Sequence, residues 1–309
     1  MAAEIILHHY PMSPFAEKAR LMLGFKRLAW RSVHIPMVMP KPDVVALTGG
    51  YRKTPLLQIG ADVYCDTALM AQLLERLQPE PALLPASAPL APLLAQWADS
   101  TLFWTAIGYA SLPAGLAAMA GRLTPEQLQA FAADRAPFLA TAPRVSPREA
   151  GVQLARYLSA LQGQLTQAGP WLCGAAPSVA DLAVAHNLWY VKGAGTLATI
   201  FDPHPAVAEW LARVLAFGHG EFTPMDSSEA LAVAAAAGGH APVAVAPGLG
   251  FEAGQTVSIA AIDYGTEASH GVLVGLTADE AVIARDDPRA GRVHVHFPRI
   301  GYRIKKEST

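Results

Sequence analysis

Polar side chains stand directly before two helical segments, where they could bind a ligand as well as cap the helix. Ser13 precedes Pro14 and a run of good helix formers, and Asp66 and Thr67 precede a similar run that starts at Ala68. The spacing predicts Ser13 as one N-cap and Asp66 or Thr67 as the other. The free N–H groups of a helix N-terminus favour anionic groups of a ligand.

The segment before Asp66 has the pattern of a β-hairpin. Short apolar runs at 56–59 and 63–65 flank the turn cluster Gly60-Ala61-Asp62. Pro55 opens the first of these strands, a position that tolerates proline. A cis peptide bond at Thr54-Pro55 would leave the Thr54 backbone open to a ligand.

The order of elements predicts two domains of different class up to residue 236. Residues 1–80 read as strand, helix from Ser13 to Gly24, strand, a short helical turn from Val44 to Leu47, hairpin and helix, which predicts a thioredoxin-like α/β domain. Residues 86–236 read as an all-helical domain of long amphipathic helices. Its helices open with Ser, Thr or Asp followed three residues later by Glu, Gln or Asp, at Thr124, Ser146, Ser178 and Asp226. Asp181 is therefore interpreted as a capping residue rather than a catalytic one.

The last part of the chain changes to period two. A Gly/Pro/Ala-rich linker covers residues 238–250, and five short strands with tight turns follow it. Residues 250–309 are predicted to form a small, barrel-like β module.

Length, hydrophobic content, net charge and the number of cysteines indicate which class of protein this is. The 309 residues suffice for two or three domains, and 52% of them are hydrophobic. A formal net charge of -2 gives no reason to expect nucleic acid or an anionic membrane as a partner. Two cysteines suit a reducing compartment, and residues 1–4 lack a basic signal region. We expect a soluble, cytoplasmic protein.

Two motif sets in the same order resemble the glutathione transferase superfamily, over roughly residues 4–218. The first set is Thr54-Pro55 followed by Asp66-Thr67, and the second is the turn Trp171-Leu172-Cys173-Gly174 followed by Ser178-Val179-Ala180-Asp181. The resemblance implies a homodimer that takes glutathione as co-substrate. It implies that Thr54 pairs its backbone with the cysteinyl part of glutathione, and that Asp66 and Thr67 hold the γ-glutamyl end.

The residue that activates the thiol is implied by the same resemblance. Ser13-Pro14-Phe15-Ala16 looks like the Cys-Pro-Phe-Ala motif of the omega class, with serine replacing cysteine. In serine-type members the matching serine donates a hydrogen bond to the thiolate, and the missing sulfur argues against thiol–disulfide exchange. Lowering a thiol pKa of about 8.5 by about two units takes roughly 2.7 kcal/mol. Tyr10 is the rival donor, because tyrosine-type members carry theirs at the end of this strand.

The implied function is attack of the glutathione thiolate on a small electrophile, as in detoxification. Lys53, or alternatively Lys41, could pair with the glycine carboxylate of glutathione, and Trp104 and Tyr109 could line an electrophile pocket. Two alternatives stay open. One is a non-catalytic interaction protein that uses the β module as its contact surface, and the other is a glutathione-dependent isomerase or reductase.

Histidines near the C-terminus give the only hint of a metal. His294 and His296 lie two residues apart, so they share one strand face and could bind a metal together with His270. The alternation with Val293, Val295 and Phe297 is more typical of a polar outer face. No metal is therefore expected.

Overall fold

The β-strands of the described residues form one mixed sheet. The computed structural model describes residues 4–141 and 145–307, so the first three residues, where no signal region was expected, lie outside it. The strands are β1 Ile6–His9, β2 Trp30–His34, β3 Leu56–Ile59, β4 Asp62–Cys65, β5 Phe222–Pro224, β6 Thr256–Ala261, β7 Ser269–Leu276, β8 Glu280–Asp287, β9 Gly291–Pro298 and β10 Tyr302–Lys306. Their order across the sheet is β10-β6-β7-β8-β9-β4-β3-β1-β2-β5.

All of these strands belong to the first of two compact units, which comprises Met1–Ala16, Ala29–Met70 and Glu221–Thr309. Within it, β1 pairs with β2 in parallel and with β3 antiparallel, and β3 and β4 form the predicted hairpin. Helix α2 spans Pro42–Thr48. This part of the unit confirms the thioredoxin-like class.

The β module is confirmed as five consecutive strands, β6 to β10. Its neighbouring strands are antiparallel, and β9 then pairs in parallel with β4, with Val63 opposite Val295. The module therefore continues the sheet of the thioredoxin-like part. One shared core contains Leu56 and Val63 from the hairpin together with Leu273 and Val295 from the module.

A helix that lies within the expected helical range 86–236 also packs in this first unit. It spans Ser227–Ala236 and is called α11 here, since ten α-helices precede it among the described residues. Asp226 and Glu229 form its capping box, as expected. Ala230, Leu231 and Ala234 are buried in the shared core, where α11 contacts β9 and α2.

The second unit comprises Glu17–Leu28 and Ala71–Gly220, and it is helical. Its helices are α1 Pro14–Lys26 and α3 Thr67–Leu77, each of which begins in the first unit, and α4 Ala91–Trp97, α5 Phe103–Ala110, α6 Pro113–Ala120, α7 Pro125–Thr141, α8 Pro147–Gln167, α9 Val179–Lys192 and α10 Pro205–Leu215. A π-helical turn, Ala98–Leu102, joins α4 to α5, and a 3-10 helix spans Gly195–Phe201.

The predicted end of α1 at Gly24 is wrong by half a turn. The helix continues to Lys26, and Gly24 is where another segment approaches it closely. A Cβ atom at Gly24 would lie 2.1 Å from the carbonyl oxygen of Gly218, so only glycine fits there.

The predicted caps of the helical unit are confirmed. Ser146 accepts a hydrogen bond from the Glu149 N–H at 3.2 Å, and Thr124 and Gln127 cap each other reciprocally. Asp181 is fully buried and accepts bonds from the N–H groups of Ser178 and Leu172. These contacts support the interpretation of Asp181 as a structural residue.

Among the residues that the structure describes, no single helix has the length and apolar character to cross a membrane. One bent pair, Ala91–Ala110 with Pro113–Ala120, meets those criteria jointly, with an angle of 83° between its two parts.

Candidate functional site

Ser13 lies where the sequence predicts it, at the N-terminus of α1. Its Oγ accepts a hydrogen bond from the Ala16 N–H at 3.2 Å, and its own N–H donates to the Tyr10 carbonyl at 3.2 Å. A serine hydroxyl that accepts one bond still carries a hydrogen that it can donate. The side chain is buried, so a bond donated from it forms in a poorly hydrated environment.

Lys41 connects the rival donor Tyr10 with the hairpin. The Lys41 ammonium lies 5.5 Å from the centre of the Tyr10 ring and donates a hydrogen bond to Thr54 Oγ1 at 3.2 Å. The Thr54–Pro55 peptide bond is cis, as the sequence suggested. Lys41, Tyr10 and Thr54 therefore form one local group, in which the buried Lys41 supplies the positive charge.

Asp66 is the N-cap of α3, and Thr67 is its first helical residue. Oδ1 of Asp66 accepts a hydrogen bond from the Ala68 N–H at 2.9 Å. The Asp66 backbone has φ 74°, a left-handed conformation that aspartate tolerates better than most residues. Oδ2 accepts a second bond, from the Tyr302 hydroxyl at 3.1 Å. The β module thus contacts the carboxylate that the sequence marks for ligand binding.

Lys53 is engaged by the same module. Its ammonium lies 2.5 Å from Oδ1 of Asp263 and 4.1 Å from the centre of the Tyr264 ring. Its neighbour Arg52 forms an ion pair with Glu267 at 3.0 Å. Sequence reasoning missed these partners, because the loop between β6 and β7 carries no pattern that announces what it contacts.

Tyr302, which contacts Asp66, also lies near Tyr51 and Lys53. Its hydroxyl lies 3.1 Å from that of Tyr51, and its ring centre lies 5.9 Å from the Lys53 ammonium. Loss of surrounding water and the nearby negative charge of Asp66 raise the pKa values of both tyrosines well above the usual value. Both hydroxyls therefore keep their protons at neutral pH and act as hydrogen-bond donors.

The helical unit contains an apolar cleft. Trp104 and Tyr109, the aromatic pair expected from the sequence, are not among the residues that line it. The cleft has a volume of about 950 Å³ and is lined by residues of α4 and α8, among them Leu94, Trp97 and Tyr157. Trp104 instead packs against Phe103, and the Tyr109 hydroxyl donates to the Leu197 carbonyl at 3.2 Å.

The expected polar outer face at His294 and His296 is wrong. His296 is 1% exposed, because β9 pairs with β4 and brings it beside Asp62. His296 Nε2 lies 2.8 Å from Asp62 Oδ1, and its Nδ1 lies 2.5 Å from Glu280 Oε1. His270, the third histidine considered with them, lies on β7 and pairs with Glu307, which follows β10.

A further histidine, His240 of the linker, completes this buried cluster. Its ring stacks on that of His294, with centroids 3.6 Å apart. Burial, and then the neighbouring His240, lower the pKa of His294 to about 4, so its imidazole is neutral at pH 7. Burial opposes ionisation of Asp62, but the bonds from His296 and the Ala241 N–H outweigh it and lower the pKa of Asp62.

Comparisons with known proteins agree with the thioredoxin-like part and the helical unit. The N-terminal domain of glutathione S-transferases matches residues 7–82, and their C-terminal domain matches residues 103–213. A GST-like protein of known structure from Pseudomonas syringae is 44% identical with a TM-score of 0.82, and the match covers 99% of this chain and 100% of that one. That similarity therefore includes the β module.

Two more distant similarities cover about two thirds of the chain. FtsZ-localized protein A of Caulobacter vibrioides is 26% identical over 194 residues, which are 61% of this chain and 77% of that protein. A rice glutathione S-transferase solved in complex with glutathione is 19% identical with a TM-score of 0.50, covering 70% of this chain and 87% of that one. This last likeness shows the fold alone.

Proposed function

Because the chain belongs to the glutathione S-transferase superfamily, we propose that it binds glutathione and activates the thiol for attack on a small electrophile. The observation that carries the proposal is the position of the Ser13 hydroxyl, buried at the N-terminus of α1 with a hydrogen to donate. A thiolate placed there gains a hydrogen bond and the positive end of the helix dipole. Tyr10 is the alternative donor.

The remaining contacts are proposed for the rest of the ligand. Asp66 pairs with the ammonium of the γ-glutamyl group, and the backbone N–H of Thr67 donates a hydrogen bond to its carboxylate. The Thr54 backbone, next to Pro55, pairs with the cysteinyl amide. Lys53 binds the glycine carboxylate.

Two of these groups have partners within the chain, and this sets a condition on binding. Asp66 is bonded to Tyr302 and Lys53 to Asp263. Glutathione must therefore replace or share these bonds. Each exchange lowers the net gain from the corresponding ligand contact, so we expect weaker affinity for glutathione than in a site with unoccupied charges.

The proposal is tested by calorimetric titration of glutathione into the full chain, together with turnover of a model aryl halide. Saturable binding with turnover that saturates in glutathione supports it. S-methylglutathione should bind similarly but should show no thiolate absorbance, because its sulfur cannot ionise. A well-folded chain that binds neither compound contradicts the proposed function.

A second candidate function is favoured by the same engagement of Lys53 and Asp66. If the β module holds both residues permanently, the chain is a non-catalytic member that uses its fold for protein contacts. FtsZ-localized protein A is a relative whose name refers to another protein rather than to a substrate. Absence of glutathione binding in the wild-type chain, with binding restored in an Asp263→Ala/Tyr302→Phe double variant, would favour this candidate.

Membership of the family also supports a homodimer and a cytoplasmic location. The homodimer is checked by light scattering coupled to size-exclusion chromatography, where a mass of one chain contradicts it. The location is checked by fractionation of the source cells.

A further inference from the structure

A group of potential metal ligands lies in the first unit, and none of its residues is among those proposed for glutathione. Asp62 comes from β4, His294 from β9, and His240 from the linker that follows α11. One ligand atom of each lies within 4.8 Å of the other two. Their side chains are 7%, 11% and 21% exposed, so the group is sheltered from solvent.

The two histidines leave polar atoms unsatisfied. Nδ1 of His240 and Nδ1 of His294 are both buried, and neither has a hydrogen-bond partner among residues 4–141 and 145–307. Buried nitrogen atoms without partners are uncommon, and each raises the free energy of the fold. Both nitrogen atoms lie near the carboxylate of Asp62, so an ion bound among the three side chains would give each nitrogen a partner.

The separations fit a metal ion better than direct contact. Asp62 Oδ1 lies 3.8 Å from His240 Nδ1 and 3.9 Å from His294 Nδ1, too far for hydrogen bonds. Around a tetrahedral zinc ion with bonds of about 2.0–2.1 Å, neighbouring ligand atoms lie about 3.3 Å apart. The three side chains must therefore move closer together to hold the ion.

We propose that Asp62, His240 and His294 bind a divalent transition metal ion, with zinc as the best fit to two imidazoles and one carboxylate. Three protein ligands leave a fourth position for water. His296 and Glu280 support the site from outside, because His296 bonds to both carboxylates and orients Asp62. The Ala241 N–H also bonds to Asp62, at 2.9 Å, which fixes the backbone beside His240.

The stacked rings show what must move on binding. The rings of His240 and His294 are nearly parallel, at 12°. A metal lies close to the plane of each imidazole that binds it, so two stacked rings cannot both point at one ion. The ring of His240 is the one that turns, because it follows Gly238 and Gly239 in a segment outside helices and strands.

A bound ion would fasten the linker to the sheet. His240 precedes the β module in the chain, whereas Asp62 and His294 lie on paired strands. Because this geometry requires the folded state, binding should raise the unfolding temperature as the zinc concentration rises.

The test uses the full chain without a histidine tag, stripped with a chelator and dialysed. Zinc chloride is titrated by calorimetry, and thermal unfolding is followed with and without zinc. We expect one zinc ion per chain and a higher unfolding temperature. Cobalt in place of zinc should give the visible absorption bands of a tetrahedral ion.

Variants of the linker and of β9 test the site independently of each other. His240→Ala and His294→Gln should each weaken zinc binding by more than about 100-fold, and His296→Gln by about 10–100-fold through Asp62. His270→Ala is the matched control, since His270 is 59% exposed and pairs with Glu307 elsewhere. His240 lies in the linker, so its variant folds even if a β9 variant does not. Absence of zinc binding in the wild type, or wild-type affinity in His240→Ala, overturns the proposal.

Discussion

The Tyr302 hydroxyl donates a hydrogen bond to Oδ2 of Asp66 at 3.1 Å. Tyr302 opens the last strand of the chain, and Asp66 caps the helix that follows the hairpin of the thioredoxin-like part. The residue proposed to hold the ammonium of glutathione is therefore already in contact with the β module. Together with the contact between Lys53 and Asp263, this bond connects the proposed site to the module.

Removing that bond should strengthen glutathione binding. We predict that Tyr302→Phe raises the affinity about tenfold, since a hydrogen bond to a charged acceptor contributes about 1.5 kcal/mol. Calorimetric titration measures the change. Tyr51→Phe is the control, because it removes the neighbouring hydroxyl without touching Asp66. Equal affinities in the two variants would show that Tyr302 does not compete with the ligand.

Removing the charge of Asp66 should have the opposite effect. Asp66→Asn keeps an oxygen that can cap α3 but loses the carboxylate that pairs with the ammonium, so glutathione affinity should fall about 10–100-fold. The control is Asp226→Asn, the same change at the N-cap of α11. A folded Asp66→Asn chain with wild-type affinity would exclude Asp66 from the site.

Ser13→Ala should raise the pKa of the bound thiol by about one to two units, on the order of 1.4–2.7 kcal/mol. Ultraviolet absorbance of the thiolate against pH measures it, and turnover should recover at alkaline pH, where glutathione ionises unaided. Because Ser13 also caps a helix, Ser146→Ala serves as control: Ser146 caps α8 with the same 3.2 Å bond. Both variants should lose about 1 kcal/mol of stability, and only Ser13→Ala should shift the titration.

The same titration on Tyr10→Phe decides between the two donors. The serine-type interpretation predicts an unchanged pKa of the bound thiol in this variant. A shift confined to Tyr10→Phe would assign the role to Tyr10 instead.

Asp181→Ala should be strongly destabilising, by about 3 kcal/mol or more. The change leaves the N–H groups of Ser178 and Leu172 and the indole N–H of Trp210 without their acceptor in a buried region. Urea unfolding measures the loss. Thr124→Ala, at an exposed capping box of the same kind, should lose only about 0.5–2 kcal/mol. Comparable losses in the two variants would contradict the structural role assigned to Asp181.

His8 should make stability depend on pH in a defined window. Burial lowers its pKa from the usual 6.5 to about 4, so the folded chain holds the ring neutral while the unfolded chain protonates it below about pH 6.5. The stabilisation is complete above pH 6.5 and is lost as the pH falls towards 4, by about 3 kcal/mol in total.

His8→Gln is the variant that isolates this contribution. The glutamine amide can still donate to Gln58 Oε1, as His8 Nε2 does at 2.8 Å, but it does not titrate. The difference in unfolding free energy between wild type and variant should therefore change between pH 6.5 and pH 4. A constant difference across that range would show that His8 does not take up the proton.

The features predicted correctly from the sequence are those that depend on residues close together in the chain. The caps at Ser13, Ser146 and Ser178 were predicted correctly, because an N-cap and its partner lie within three residues of each other. The hairpin and the five strands of the module also follow from local period and turn residues. Helix α1 was ended too early because Gly24 reads as a stop signal, although it is required by a close contact.

The contacts that distinguish this chain were not predictable in the same way. Period two shows that His294 and His296 share a face. It does not show that β4 pairs beside them in the sheet, or that His240 of the linker stacks on His294. The pairs Lys53–Asp263 and Asp66–Tyr302 join residues more than 200 positions apart, and neither partner has a local signature. In the sequence, these four residues look like ordinary surface residues. Only the pairing of the strands brings them together.

The parallel pairing of β4 with β9 has a consequence for how the chain folds. Until the ribosome has made β9, the outer side of β4 carries unpaired N–H and C=O groups, and such an edge readily adds a strand from another molecule. Most of the helical unit, Ala71–Gly220, lies between these two strands in sequence, and its contacts are available much earlier. The nascent chain therefore exposes the unpaired edge of β4 for most of its synthesis. A chain that ends at the linker would expose this edge permanently. Aggregation of such truncated chains would have its origin in β4.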